Sequence, residues 1–191
     1  MTGLTIGIIG LVLTVLLCGI GSGLGLKATG KASAGVLAED PSKFSKVIVL
    51  SLLPATQGIY GFLIAILGAS YLPTVANLTN AGILATASAE QIAAQGWNVF
   101  WACLPMMIGG AVSAFLQGRT AASTIIAVGK KGEIASKSII FPAMIEFYAL
   151  LGLVVSIMMF NNMPIADMSQ TITAPEVVDT GARVISTLLG A

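Results

Sequence analysis

Apolar residues run through this chain in four long blocks with few polar side chains inside them. The blocks lie at about Leu4–Leu26, with a small-residue extension to Ala38, then Val47–Ala76, Trp97–Leu116 continuing to Val128, and Ile134–Phe160. A helix needs about 20 apolar residues to cross the hydrocarbon core of a bilayer, so each block predicts one spanning helix. Two of the interruptions are short, Glu39–Lys43 and Gly129–Glu133. The middle one, Asn77–Gly96, is longer, and a tail that is polar at first follows Asn161. The expected organisation is a first transmembrane hairpin over 1–80, a connection over 81–96, a second hairpin over 97–160 and a C-terminal tail over 161–191.

Composition agrees. Hydrophobic residues make up 56% of the 191 and charged residues only 9%, against about 25% charged in soluble domains. The chain therefore reads as an all-α, multi-pass membrane protein. No Lys/Arg cluster with interleaved aromatics is present, which excludes nucleic acid as a partner. The absence of His removes the commonest metal ligand and the usual near-neutral proton switch. Cys18 and Cys103 lie in apolar blocks and read as small buried hydrophobes. The stretch Leu4–Cys18 has no basic residue before it, and Leu17 is a poor neighbour for a lipoprotein cleavage site. It reads as a retained helix, not a cleaved leader.

Charge sets the orientation. Lys27, Lys31, Lys43, Lys46, Arg119, Lys130, Lys131 and Lys137, eight of the nine basic residues, flank the two short turns. Basic residues concentrate on the cytoplasmic side, so both turns are expected there and both termini on the extracytoplasmic side.

The chain also repeats. At an offset of 88 residues, Ile20-Gly21 falls on Ile108-Gly109, Gly30 on Gly118, Lys43 on Lys131, Pro54-Ala55 on Pro142-Ala143, and Tyr60 on Tyr148. Two like-oriented hairpins from one duplicated unit explain this. The first helix of each hairpin is rich in small residues, among them Gly21, Ser22, Gly25, Gly109, Gly110, Ser113 and Gly118. Small residues let helix backbones approach closely in lipid. That suits either an inner layer of a ring or packing within one four-helix bundle. The run Gly19 to Gly25 follows no strand and lacks the spacing of a phosphate-binding loop.

Glu146 is the only charged residue between Ser138 and Phe160. A charge at the bilayer centre costs about 2.5–3.5 kcal/mol on insertion scales, so such a residue marks an ion path by default. Leu53, Thr56, Gln57 and Tyr60 fall at i, i+3, i+4 and i+7 and share one helical face. Pro54 lacks an N–H and disturbs that helix locally. With Gln117 they offer a hard cation a carboxylate, two amide oxygens, a hydroxyl and a main-chain carbonyl. Each residue also has a plainer reading. Thr56 and Gln57 suit interhelical hydrogen bonds, Tyr60 and Tyr148 suit packing, Gln117 suits a membrane boundary, and Glu146 suits a protonated structural acid.

Two stretches make the pattern specific. Leu53-Pro54-Ala55-Thr56-Gln57-Gly58-Ile59-Tyr60-Gly61 and Phe141-Pro142-Ala143-Met144-Ile145-Glu146-Phe147-Tyr148-Ala149-Leu150-Leu151-Gly152 resemble the membrane rotor proteolipid of V-type ATPases, closest to the K-type proteolipid of bacterial sodium pumps. Gln117-Gly118-Arg119 resembles that family's Gln-Gly-basic element. The likeness covers about Leu4 to Phe160. It implies two fused hairpins per chain and a homo-oligomeric ring in lipid. It also implies one Na⁺ per chain, held by Glu146, Gln117, Gln57, Thr56 and the Leu53 carbonyl, with Tyr60 holding the glutamate. Expected partners are a stator subunit with an essential arginine and a central-stalk subunit at the cytoplasmic turns. The resemblance favours a bacterial inner membrane. It implies no catalysis by this chain itself. A rotor of the same design carrying H⁺ and a non-rotary channel or structural tetraspan protein are the competing readings. The 77–96 connection and the tail after Asn161 depart from the family pattern.

Overall fold

The computed structural model describes residues 3–80 and 89–163. Residues 81–88 of the expected connection, and nearly all of the expected 161–191 tail, lie outside the described residues. Residues 3–161 belong to one compact unit. Its helices are α1 (Gly3–Glu39), α2 (Phe44–Leu52), α3 (Thr56–Asn80), α4 (Ala89–Lys130), α5 (Ala135–Ser138) and α6 (Ile140–Asn161), and no strand occurs among the described residues. Four stretches are long and apolar enough to cross a membrane: Thr5–Glu39, Pro41–Tyr71, Ala94–Lys130 and Gly132–Asn161. Four spanning helices in two hairpins are the expected architecture.

The helices differ from the sequence reading at their ends. The third spanning helix begins at Ala89, inside what reads as a linker, and the second runs on to Asn80. Ala, Glu and Gln around Ala89–Gln95 are strong helix formers, and a helix satisfies its own backbone with or without lipid around it. The outer residues of the connection are thus helical extensions. The repeat is also inexact at the turns. The position 88 residues after Glu39 is Ala127, yet α4 continues to Lys130.

Packing is layered by side-chain size. α1 and α4 share the most extensive interface in the unit, and α6 leans on α4. A Cβ on Gly21 would strike the backbone of Ala111, and one on Gly25 would strike the Ala114 carbonyl and Pro54. A Cβ on Gly118 would fall on the backbone of Gly25. At these positions the two helices touch main chain to main chain, which only glycine permits. Cys18 Sγ donates to the Met106 carbonyl at 3.4 Å, so the hairpins meet at residues that are repeat mates. Pro105 lies inside the continuous α4, and the neighbouring Met106 N–H donates to Ser156 Oγ of α6 at 3.1 Å. A core of Val36, Val47, Leu50, Ile125 and Val128 closes the turn-bearing end.

The outward faces are apolar. Met144, Phe147, Tyr148 and Leu151 of α6, Ile59, Phe62 and Ile66 of α3, and Val12, Leu16 and Ile20 of α1 are each at least half exposed. Soluble monomers do not expose so continuous an apolar surface.

At the first turn Asp40 caps the 3-10 segment Pro41–Lys43. Its Oδ1 accepts from Ser42 N–H at 3.1 Å and from Ser42 Oγ at 2.6 Å. Lys43 Nζ lies 3.1 Å from Asp40 Oδ2 and donates to the Gly129 carbonyl of the other turn at 2.7 Å. The Ser42 hydrogen bonds, then Lys43, hold the Asp40 carboxyl below its ordinary 3.8. The capping is therefore complete above that pH and fades as pH falls through the lower folded value.

Candidate functional site

Proline breaks both outer helices at the level of the site. Leu53–Ala55 forms a 3-10 turn between α2 and α3, with Pro54 buried in it and Thr56 N–H bonded to the Leu53 carbonyl. In the second hairpin the chain breaks at Ile139, between α5 and α6, and the N–H after Pro142 returns to the Ile139 carbonyl at 3.2 Å. These breaks follow from the missing proline N–H and its ring clash one turn back.

The structure gathers the six sequence-predicted residues as three bonded pairs. Thr56 Oγ1 donates to the Leu53 carbonyl at 3.0 Å. Its proton is thereby turned inward along the helix, which leaves hydroxyl lone pairs free to face a cation. Gln57 Nε2 donates to Gln117 Oε1 at 2.5 Å, joining α3 to α4. Tyr60 Oη donates to Glu146 Oε1 at 2.8 Å, joining α3 to α6 across 86 residues of chain.

Gln117 continues the network. Its Nε2 donates to the Pro142 carbonyl at 3.1 Å, so α3, α4 and α6 are linked through two amides. Both glutamines are fully buried, whereas Leu53, Thr56, Tyr60 and Glu146 are half-buried. Gln117 is thus a packed interior group, bonded to both neighbouring helices. Tyr148, the repeat mate of Tyr60, points outward at 69% exposure and takes no part.

Two buried side-chain atoms among the described residues are out of balance. Gln57 Oε1 is buried and has no hydrogen-bond partner. An unsatisfied buried carbonyl oxygen costs about 1–3 kcal/mol, so such an atom calls for a ligand. Ser22 Oγ of α1 is the second buried orphan, and it lies beside Gly58, next to Gln57 in the chain. Neither Ser22 nor the Pro142 carbonyl stood out in the sequence. Ser22 hides in a stripe of small residues, and a main-chain acceptor leaves no side-chain signal.

The chemistry available is oxygen only. Among the described residues no group of three or more His, Cys, Asp or Glu side chains forms a metal-binding cluster. The site instead combines one carboxylate with amide, hydroxyl and main-chain oxygens, which suits a hard monovalent cation better than a transition metal. Among the described residues no set for nucleophilic or acid–base catalysis accompanies it.

Comparison with known proteins agrees with this geometry. The family model for the C-subunit of ATP synthase matches residues 5–68 and again residues 100–159, one match per hairpin. The chain is 36% identical over 160 residues to the V-type sodium ATPase subunit K of Enterococcus hirae, covering 84% of this chain and 93% of that protein. It is 36% identical over 156 residues to the A-type ATP synthase subunit K of Methanocaldococcus jannaschii, covering 82% of this chain and 62% of that longer relative. With two family-matched hairpins and four spanning helices, the chain belongs to the ATP synthase C-subunit family, the non-catalytic membrane rotor proteins of rotary ATPases.

Proposed function

We propose that this rotor protein binds one Na⁺ per chain, held by Glu146, Gln117, Gln57, Thr56 and the Leu53 carbonyl, with Tyr60 orienting the carboxylate. The observation that carries this reading is the buried Gln57 carbonyl oxygen left without a partner beside the bonded Gln117. A proton needs only the carboxylate, whereas a metal ion uses the surplus oxygen. The name of the E. hirae relative, a sodium ATPase subunit, points the same way.

The cycle follows from electrostatics. With Na⁺ bound, the Glu146 charge is compensated and the pair tolerates a low-dielectric surface. Without it, the bare carboxylate is too costly there. An arginine on a stator chain would displace the ion at the half-channels, and a central-stalk subunit would bear on the cytoplasmic turns. The duplicated unit keeps a single carboxylate, because Gly58 stands 88 residues before Glu146, so each four-helix chain moves one ion. In this reading residues 1–80 and 97–160 are the two functional hairpins, both termini are extracytoplasmic, and the host is a bacterial inner membrane.

Carboxyl-directed carbodiimide labelling tests the cargo. Glu146 should be modified in the absence of Na⁺ and progressively protected as Na⁺ is titrated in. Labelling insensitive to Na⁺ but dependent on pH would replace Na⁺ with H⁺ on the same rotor. Gln57→Ala and Thr56→Ala should each weaken Na⁺ binding about tenfold, the effect of losing about 1.4 kcal/mol of ligation, while the assembly survives. Unchanged protection curves in both variants would remove these two residues from the site.

A further inference from the structure

We propose that the cleft between α2 and α5 at the turn-bearing end seats one zwitterionic aminophospholipid per chain, its phosphate on Lys46 and its ammonium toward Glu133. The cleft encloses about 480 Å³, within the range of ligand-binding pockets. Its polar part is formed by Ser45 and Lys46 from the first hairpin and by Glu133 and Ser136 from the second. The rest of its lining is apolar, with Val49 and Ile139 among the residues.

The two charges explain the choice of ligand. Lys46 and Glu133 line one cleft, yet neither forms an ion pair within the described residues, where Lys43–Asp40 is the sole one. Lys46 Nζ instead leans across to Gly132, within 3.2 Å of where a Cβ on that residue would stand. Ser45 and Ser136 likewise make no side-chain hydrogen bond among the described residues. An ammonium, a carboxylate and two hydroxyls held apart around a cavity complement a head group that carries both signs.

The apolar wall selects a lipid over a soluble phosphate ester. Below the charged rim, half-exposed Val49 and the outward Ile140 continue the apolar surface of the outer helices. An acyl chain would follow it. Position agrees as well, since the cleft opens beside the second turn, at the end of the spanning segments where head groups lie. A purely anionic head group would satisfy Lys46 but present no cation to Glu133, so the pair favours phosphatidylethanolamine over phosphatidylglycerol.

The detergent-solubilised assembly, offered equal amounts of these two lipids, is read by native mass spectrometry. Wild type should retain about one phosphatidylethanolamine per chain, and Lys46→Ala should lower that retention about fivefold. Glu133→Gln should keep lipid but lose the preference. Glycerophosphoethanolamine, the soluble head group, should not compete at equal concentration. The size and thermal stability of the assembly serve as the folding control and should be unaltered in both variants. Equal retention by wild type and Lys46→Ala, an unchanged preference in Glu133→Gln, or displacement by the soluble head group would each overturn the proposal. So would a cleft closed by the neighbouring copy, seen as no retained lipid and altered assembly in the variants.

Discussion

Glu146→Gln should abolish ion transport while the rotor still assembles. The amide matches the carboxylate in volume and can still accept the Tyr60 hydroxyl bond seen at 2.8 Å, so the contact between α3 and α6 survives. What disappears is the charge. A carboxylate and a monovalent cation in contact attract by about 6–7 kcal/mol at an effective dielectric of about 20. Even half of that is more than about a hundredfold in affinity. ATP-driven ²²Na⁺ uptake into proteoliposomes and ²²Na⁺ retention by the purified assembly are the two measurements. Both should fall to background, with the size of the assembly unchanged. Transport at the wild-type rate would end the proposed role of this acid, and loss of assembly would make it structural instead.

The second large effect is expected from packing alone. Gly118→Val should prevent the two hairpins from packing. A Cβ at Gly118 would fall on the backbone of Gly25, and no flexible side chain is there to yield. Overpacking a side-chain contact costs about 1–3 kcal/mol, and here α1 and α4 must separate along their main interface. Gln117, next in the chain, would move with the backbone and lose its bonds to Gln57 and the Pro142 carbonyl. Gly35→Ala is the control, because a Cβ there meets nothing within 4 Å. Thermal stability and the yield of intact assembly should collapse in Gly118→Val and hold in Gly35→Ala. An assembled Gly118→Val protein of unchanged stability would show that the α1–α4 approach is not close.

These two positions show how differently parts of the molecule can be read. Glu146 is conspicuous in one dimension, because an acid in a long apolar run breaks the pattern that lipid imposes. Gly118 is inconspicuous, being one of 22 glycines. Its small size matters only because Gly25 of the other hairpin lies against it, and chain separation carries no hint of that. Gln117 falls between the two. Its residue type and neighbours match a family motif, yet its place beside Arg119 equally suits a membrane edge. Only the observed bonds to Gln57 and Pro142 assign it to the interior. The long connection is legible in yet another way. Polarity marks the end of a lipid-embedded segment, but helix formation does not stop with the lipid, so α3 and α4 extend into it.

The amino-acid sequence alone determined four apolar spans, two like hairpins, the turn-bearing ends and an acid inside an apolar run with oxygen-bearing residues on a neighbouring block. Each of these rests on periodicity or on the cost of polar groups in hydrocarbon, both of which act along a single helix. The tertiary structure decided which glycines carry the α1–α4 contact, which partner each amide takes, and that one Gln57 oxygen is left over. Those depend on the facing surfaces of separate helices, whose registry is settled by packing between them and by nothing written within either one.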